Sequence, residues 1–335
     1  MKRDYFIINN GRLSRERNTL FFEKYGEDGV SKGRKPIPIE TVNTLYCFGE
    51  NDYNSKFFNF LSENGIVLHQ FNYYGYYSGS FYPREKLVAG ELLVRQVTAY
   101  LDDAVRIELA RHFIEAAAFH ILGNLHDQSV NAPAIRSQIR AVEKLKERID
   151  SCANVAKLMA IEAMIRKTYY ECWDEFLNWD EPFEKRSKQP PQNSLNALIS
   201  FGNSLLYTTV LAEIYQTQLN PTISYLHEPG VRRYSLSLDL AEIFKPVLVD
   251  PLIFRLINKK MLKLDDFDCK LKFCYLNDNG RKIFLQEWDA TLQRTIKHRQ
   301  LNRSVSYRRL IRLELYKLMK HLMGEKEYKP FHKWW

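Results

Sequence analysis

The sequence lacks the patterns that mark several common classes of protein. It contains neither a Walker A loop nor a GxGxxG motif, so a nucleotide-dependent enzyme is not expected. No two cysteines form a CxxC pair, which argues against a zinc ribbon. Because the cysteines are odd in number and the chain is long, we predict free thiols in a reducing compartment; they are Cys47, Cys152, Cys172, Cys269 and Cys274.

Two further absences concern membranes and secretion. No apolar run approaches the roughly 18 residues that a membrane-spanning helix requires. The N-terminal segment MKRDYFIINNGR is basic, but it lacks the apolar stretch and the small-residue cleavage site of a signal peptide. Together these absences predict a cytoplasmic protein without a membrane partner.

The composition indicates a globular chain with a basic C-terminal region. The 335 residues include 45% hydrophobic residues, enough for a sizeable core, and they carry a net charge of +9. This charge permits a nucleic-acid partner without requiring one. From Arg294 to Lys333, about a dozen basic residues stand against three glutamates, a pattern typical either of a phosphate-facing surface or of a solvated helix face.

The hydrophobic periodicity predicts an α+β fold with a small N-terminal β domain in residues 1–85 and a larger helical domain in residues 86–335. The first part contains short aromatic and β-branched runs such as GIVLHQF, bounded by turn signals. The second part carries apolar residues at helical spacing, as in DDAVRIELARHFIEAAAFHIL. Residues 184–193 are polar and contain two prolines, so they predict a loop, and residues 277–280 (NDNG) predict a tight turn.

The segment SYLHEPGVRRYSLSLDLAEIFKP carries the strongest chemical pattern in the chain. It places His227 in a Pro-Gly turn, and a predicted helix then carries Asp239, Glu242 and Lys245 three residues apart, on one face. Glu162 lies at the edge of the apolar stripe of another predicted helix. A carboxylate at such an edge is paired, hydrogen-bonded or bound to a metal ion.

Each of these residues also has an ordinary structural explanation. Glu162 fits a half-exposed helical glutamate, and His227 fits a surface residue in a turn. Asp239 and Glu242 stand in the early turns of a helix, where the dipole favours carboxylates. Glu242 and Lys245 form an i,i+3 pair worth about 0.2–0.5 kcal/mol. Taken as a site, two carboxylates and an imidazole suit Mg²⁺ or Mn²⁺, and a nearby lysine suits a phosphate.

The ordered motifs of the chain resemble the CRISPR-associated adaptation integrase family, known as Cas-one. The resemblance spans essentially the whole chain and is carried by LMAIEAMIRKTYY, NSLNALISFGNSLLY, YLHEPG, SLSLDLAEIFKP and the tail SYRRLIRLELYKLMKHL with EYKPFHKWW. The C-terminal motifs are most similar to type I systems. One departure is Ala163, because many members have glycine directly after the metal-binding glutamate.

This resemblance implies a metal-dependent DNA endonuclease and integrase of prokaryotic antiviral defence, which inserts spacer DNA into a CRISPR array. It implies that Glu162, His227 and Glu242 bind Mg²⁺ or Mn²⁺ and are catalytic, and that Asp239 is an acid of less certain role that supports them. Lys245 and Asn196 match positions beside the site and are expected to bind nucleic acid. Arg232 and Arg233 are further candidates for contacts with the DNA backbone.

The resemblance also implies partners: DNA, a second copy of the chain in a homodimer, and the small Cas-two subunit. The strand-rich residues 1–85 are expected to supply the homodimer contacts. Two alternatives remain open from the residues themselves. One is a non-catalytic nucleic-acid-binding protein with the same fold, and the other is an unrelated helical scaffold whose acidic and histidine residues are incidental.

Overall fold

A computed structural model describes residues 2–26, 28–85, 87, 89–188, 190–230, 234–270, 273–298 and 301–333. Short strands dominate its first part, where aromatic and β-branched residues alternate with polar ones. A single helix, α1 (Ser55–Asn64), lies among them; Asn54 caps its start and Gly65 ends it at a φ of 63°. The strands are β1 (Arg3–Ile7), β2 (Gly11–Glu16), β3 (Thr19–Tyr25), β4 (Ser31–Pro38), β5 (Val42–Cys47), β6 (Asn51–Asp52), β7 (Val67–Phe71) and β8 (Tyr77–Phe81).

These strands form two four-stranded sheets. The first has the order β1-β5-β7-β8, with parallel pairs β1/β5 and β5/β7 and an antiparallel pair β7/β8. The second has the order β4-β3-β2-β6. Leu13, Leu20, Leu45, Phe57 and Leu61 are buried in one apolar cluster that α1 and the strands share.

The second part is mostly helical, so the predicted α+β fold is confirmed. Its helices follow the apolar periodicity of the sequence and pack around one large core. They are α2 (Gly90–Leu101), α3 (Asp103–Ser129), α4 (Arg136–Glu147), α5 (Val155–Tyr170), α6 (Ser194–Tyr215), α7 (Ser235–Phe244), α8 (Asp250–Asn258), α9 (Asp278–Gln293) and α10 (Tyr307–Leu322).

Three features of this part differ from the sequence predictions. Two hairpins interrupt the helices: β9 (Phe267–Lys270) with β10 (Phe273–Leu276), and β11 (Thr295–His298) with β12 (Arg303–Ser306). Residues 277–280 begin α9 instead of forming a separate turn, because the Asn277 side chain accepts a hydrogen bond from the Gly280 N–H.

The third difference concerns the cysteines. Cys269 and Cys274 form a disulfide, contrary to the prediction that all five are free thiols. They occupy directly opposed positions of β9 and β10, and this pairing brings their Cα atoms to 4.0 Å. The other three cysteines are free and buried.

Helix α6 is the apolar centre of the helical part. By length and composition it is the one helix among the described residues that satisfies the criteria for crossing a membrane, which the sequence prediction did not foresee. Most of it is buried inside the protein, against α7, α10 and β10. This burial explains why most of its sequence is apolar, as expected for the core helix of a large protein.

The first sheet packs directly on α6. Tyr46, Phe48 and Phe71 belong to the large core of the helical part, and the Phe48 and Phe201 rings lie 5.8 Å apart. The Tyr46 hydroxyl lies 3.2 Å from the hydroxyl of Thr209. The strands and helices therefore share a core across the junction, and the division into two domains at residue 85 stays a prediction.

A buried ionic cluster, which sequence reasoning missed, reinforces this junction. Arg308 of α10 contacts Asp4 of β1 and donates to Thr44 of β5 at 3.1 Å. The Nε atoms of Arg308 and Arg312 each donate to Glu213 of α6 at 2.6 Å. Part of the basic C-terminal region is thus committed to internal ion pairs, which limits the surface that it offers to phosphate.

We expect the fold to lose stability as the pH falls below about 6.5, because two histidines are buried in the neutral form. Burial is the main cause that lowers the pKa of His69 and of His120 to about 3, and at His69 the positive charge of Arg308 contributes to this value. The unfolded chain binds these two protons near pH 6.5 and the folded chain does not. Each histidine therefore costs up to about 1.4 kcal/mol per pH unit on acidification.

Urea unfolding at about pH 7 and about pH 5 measures this effect. In the double variant His69→Gln, His120→Gln, the free energy of unfolding should fall clearly less between these two pH values than in the parent protein. An equal decline in both proteins would assign the acid sensitivity to other groups.

Candidate active site

The residues singled out in the sequence come from three elements that meet beside α6. Helix α5 carries Glu162, the turn at residues 225–230 carries His227, and α7 carries Asp239 and Glu242. Lys245 follows directly, as the first residue of a π-helical turn, Lys245–Val249, that joins α7 to α8. Every residue of α7 is buried, so its polar side chains must find partners inside the protein.

Asp239 organises the turn that carries His227. Its carboxylate is fully buried and accepts hydrogen bonds from the backbone N–H groups of Tyr225, Leu226 and His227 at 2.6, 2.9 and 3.0 Å. It also accepts one from the His227 Nδ1 at 2.8 Å. A carboxylate only accepts, so Nδ1 carries the proton and Nε2 keeps the lone pair that a metal ion needs.

Glu242 is held by two cations. Its carboxylate lies 2.5 Å from the Lys245 Nζ and 3.0 Å from the Arg166 Nη2. Burial opposes ionisation, but the positive charges of Lys245 and Arg166 outweigh it and lower the pKa of Glu242 to about 2. Glu242 is therefore a carboxylate at neutral pH.

Glu162 shares one of these cations. The Arg166 Nε donates to its carboxylate at 3.3 Å, so a single guanidinium joins Glu162 to Glu242. Burial and the negative charge of Glu242 raise the pKa of Glu162 above its usual value. Two carboxylates held close together in this way are a typical binding site for a cation.

Arg166 and Asp250 were missed in the sequence, although signals for both were present. Arg166 stands four residues after Glu162, so the two share a helix face. Asp250 lies within the apolar run VLVDPLIF, which indicates burial, and its carboxylate is 3.8 Å from the Arg166 Nη1. Burial raises the pKa of Asp250 to about 7.

The donor chemistry of these residues fits a divalent cation. Two carboxylates and an imidazole with a free Nε2 form the oxygen-rich set that Mg²⁺ and Mn²⁺ accept. Within the described ranges, however, no three or more His, Cys, Asp or Glu side chains are already arranged to hold a metal ion. Instead, Arg166 and Lys245 contact the carboxylate oxygens that such an ion would use.

A basic cleft opens beside these carboxylates. It has a volume of about 540 Å³ and is lined by Glu162, Arg166 and Lys245 at its base. Partial burial lowers the pKa of Lys188 at its rim, as do the charges of Lys245 and Arg186. A concentration of lysine and arginine around a cleft is suited to a phosphate-bearing ligand; the other basic lining residues are Lys167, Lys185, Arg186 and Lys188.

Asn196 was predicted to contact nucleic acid, and that contact stays a prediction. Its side chain is fully buried. The amide oxygen accepts hydrogen bonds from the Arg186 Nη1 and the Ser187 N–H, each at 2.9 Å, and the amide nitrogen donates to the Lys185 carbonyl at 2.9 Å. Asn196 therefore fixes the predicted loop 184–193 against α6, and the loop supplies the basic residues of the rim.

The remaining predicted contacts have different outcomes. Lys245 is mostly buried but lines the cleft, so it stays a candidate for phosphate binding. Arg232 and Arg233 lie outside the described residues. Tyr207, which also lines the cleft, faces Lys245, whose Nζ is 5.2 Å from the centre of the ring.

Comparison with known proteins gives a consistent result over the whole chain. A sequence model of the family described as CRISPR associated protein Cas1 matches residues 5–290. The chain is 51% identical to the CRISPR-associated endonuclease Cas1 2 of Moorella thermoacetica, over 99% of this chain and 100% of that protein. It is 49% identical to the CRISPR-associated endonuclease Cas1 of Clostridium perfringens, over 100% of both chains.

Solved structures agree with these sequence matches. A CAS1 protein from Thermotoga maritima superposes with a TM-score of 0.85 at 39% identity, covering 98% of this chain and 100% of that one. Two more distant proteins share the fold. They are a casposase bound to its integration product (TM-score 0.87, 18% identity, covering 99% and 93%) and a chain of a Cas6-RT-Cas1–Cas2 complex (0.85, 16%, covering 100% and 36%).

Proposed function

Because the chain belongs to the Cas1 family, we propose that it is a metal-dependent DNA endonuclease and integrase that inserts spacer DNA into a CRISPR array. The observation that carries this proposal is the pair of carboxylates, Glu162 and Glu242, joined by Arg166 beside a basic cleft that Glu162, Arg166 and Lys245 line. The names of the relatives support the nuclease activity, and the casposase fold is compatible with integration.

In this proposal Glu162, Glu242 and His227 would hold Mg²⁺ or Mn²⁺. The bound ion would supply Lewis-acid stabilisation of the charge that develops on the phosphoryl oxygens. Asp239 keeps the His227 imidazole in the tautomer that leaves Nε2 unprotonated. Lys245 and the basic rim bind the DNA backbone and orient the scissile phosphodiester.

The reaction exchanges one phosphodiester for another. The 3′-oxygen of the incoming DNA forms a new bond to phosphorus, and the bond from that phosphorus to the 3′-oxygen of the repeat strand breaks. The proton of the attacking hydroxyl passes to solvent, and the leaving oxygen takes up another. Water in place of the 3′-hydroxyl gives simple cleavage, so the nuclease and integrase activities use one site.

We propose three partners for this activity: DNA, a second copy of the chain and the Cas2 subunit. The Cas2 partnership is supported by the shared fold with a chain that is found in a Cas1–Cas2 complex. The homodimer rests on family membership, and residues 1–85 stay the predicted contact region. Because these residues share a core with α6, surface substitutions in the two sheets are a cleaner test of dimerisation than deletion.

A strand-transfer assay tests the function. The full chain is mixed with the Cas2 partner of its own CRISPR locus, a labelled DNA fragment with free 3′-hydroxyls, a supercoiled leader–repeat plasmid and Mn²⁺. We expect covalent joining of the fragment to the plasmid, and no joining when EDTA is present. DNA binding without joining or cleavage would support the non-catalytic alternative and overturn the proposal.

Substitution of Lys188 by glutamine should weaken DNA binding and make it less sensitive to salt. A lysine that contacts a phosphate releases about one counterion, so its loss should reduce the slope of log K against log salt by about 0.7–0.9. Fluorescence anisotropy between about 50 and 200 mM salt measures the slope. Lys144→Gln, which changes an exposed lysine on α4, is the matched control. An unchanged slope for Lys188→Gln would show that Lys188 does not contact the DNA backbone.

A further inference from the structure

Arg166 is a buried guanidinium surrounded by three carboxylates. Its Nε and Nη2 donate to Glu162 and Glu242 at 3.3 and 3.0 Å, and its Nη1 lies 3.8 Å from the Asp250 Oδ2. The Arg166 and Asp250 side chains are 9% and 1% exposed. This arrangement confines one positive charge between the proposed metal ligands and a third carboxylate.

The contact between Arg166 and Asp250 is incomplete. Among the described residues, neither the Arg166 Nη1 nor the Asp250 Oδ2 has a hydrogen-bond partner, although both atoms are buried. A charge-assisted hydrogen bond between them would be about 2.7–2.9 Å long, so the observed separation is about 1 Å too great. Buried polar atoms without partners are costly and rare, so this pair calls for a functional explanation.

The two oxygens that Arg166 contacts on Glu162 and Glu242 belong to the proposed metal ligands. A divalent cation and the guanidinium would compete for them, and two cations so close together repel each other. Arg166 is buried except where it lines the cleft, whose other charged side chains are mostly basic. The Asp250 Oδ2 is the nearby acceptor that can take its charge through a small shift.

Building on the proposed metal-dependent function, we propose that Arg166 and Asp250 form a charge-exchange pair. Arg166 neutralises Glu162 and Glu242 while no divalent cation is bound, and its guanidinium shifts to Asp250 when a cation binds. Asp250 is then a positioning residue: it contacts neither the cation nor the DNA, and it acts by providing a place for Arg166.

Mn²⁺ affinity of the full chain, measured without DNA by electron paramagnetic resonance of free Mn²⁺, tests the exchange directly. Asp250→Asn should weaken Mn²⁺ binding about 10- to 100-fold, since it removes the charged acceptor for Arg166. Arg166→Gln should bind Mn²⁺ at least as tightly as the parent chain, because the competitor is gone. The double variant Arg166→Gln, Asp250→Asn should recover most of the affinity that Asp250→Asn loses.

The double variant distinguishes this exchange from a purely structural role of the two residues. If their role were only structural, two core substitutions would lower the Mn²⁺ affinity at least as much as one. Asp4→Asn is the matched control, because Asp4 is also a buried partner of an arginine but lies in the Arg308 cluster. It should leave Mn²⁺ affinity unchanged. If Asp250→Asn does not fold, Arg166→Gln alone decides: a loss of Mn²⁺ affinity in that variant overturns the exchange.

Mn²⁺ binding by the parent chain tests the proposed metal site, and the variants then test the exchange separately. A parent chain that does not bind Mn²⁺ would contradict the proposed metal site itself. A parent chain that binds Mn²⁺, together with an Asp250→Asn protein that binds it equally well, would leave the metal site intact and overturn only the exchange. A double variant no better than Asp250→Asn would overturn it as well.

Discussion

A Glu242→Gln protein should keep its fold and lose Mn²⁺-dependent strand transfer by about two to three orders of magnitude. Lys245 and Arg166 each contact a different oxygen of Glu242, and glutamine preserves the size of the side chain and one of these two acceptors. It removes the negative charge that the proposed metal ion needs and that neutralises Lys245 and Arg166. Glutamine is preferable to alanine here, because alanine would leave two buried cations without their partner.

The assay is the same strand-transfer reaction, with circular dichroism and urea unfolding as checks of the fold. Glu314→Gln is the matched control, since Glu314 is also a buried glutamate with a lysine at i+3, at 2.6 Å, but lies in α10. This control should retain activity. Full activity in a folded Glu242→Gln protein would refute the assignment of the site, and Glu162→Ala and His227→Ala proteins are expected to be inactive for the same reason.

Replacement of Glu213 by alanine should have the largest effect on stability of the substitutions considered. Glu213 is 1% exposed and binds both Arg308 and Arg312. Without it, Arg312 loses its carboxylate partner in this cluster, and Arg308 keeps only Asp4 and Thr44. Removal of one partner from a buried ion pair costs about 3–5 kcal/mol, because the remaining charge is uncompensated.

Urea unfolding of the parent and Glu213→Ala proteins measures this loss as a change in the free energy of unfolding. Glu171→Ala is the control, because Glu171 forms an exposed pair with Lys167 on the surface of α5, where a loss below about 1 kcal/mol is expected. Losses of similar size in the two variants would show that the buried cluster does not stabilise the junction.

The sequence predicted those parts of the site that lie close together along the chain. The turn at His227 and the helix from Asp239 to Glu242 are local patterns, and both are present in the structure. The spacing placed Asp239 and Glu242 on one face but did not reveal that they serve different partners. Asp239 faces the turn at residues 225–227, while Glu242 faces Arg166 on α5.

The features that escaped prediction depend on contacts between distant segments. Asp250 and Arg166 are 84 positions apart, and only the tertiary fold brings the start of α8 to the Arg166 side chain on α5. Asn196 carried a family motif, but the motif did not reveal that the side chain is buried beneath the loop. The hairpins β9–β10 and β11–β12 have strands of four residues, too short for a clear alternation.

The contact between Asp4 and Arg308 spans 304 positions of sequence. During translation, Asp4 therefore leaves the ribosome long before Arg308. A nascent chain therefore holds the first sheet without the charge that neutralises its buried aspartate, and α6 without the arginines that neutralise Glu213. We infer that the first sheet and α6 reach their final packing only after α10 has emerged from the ribosome.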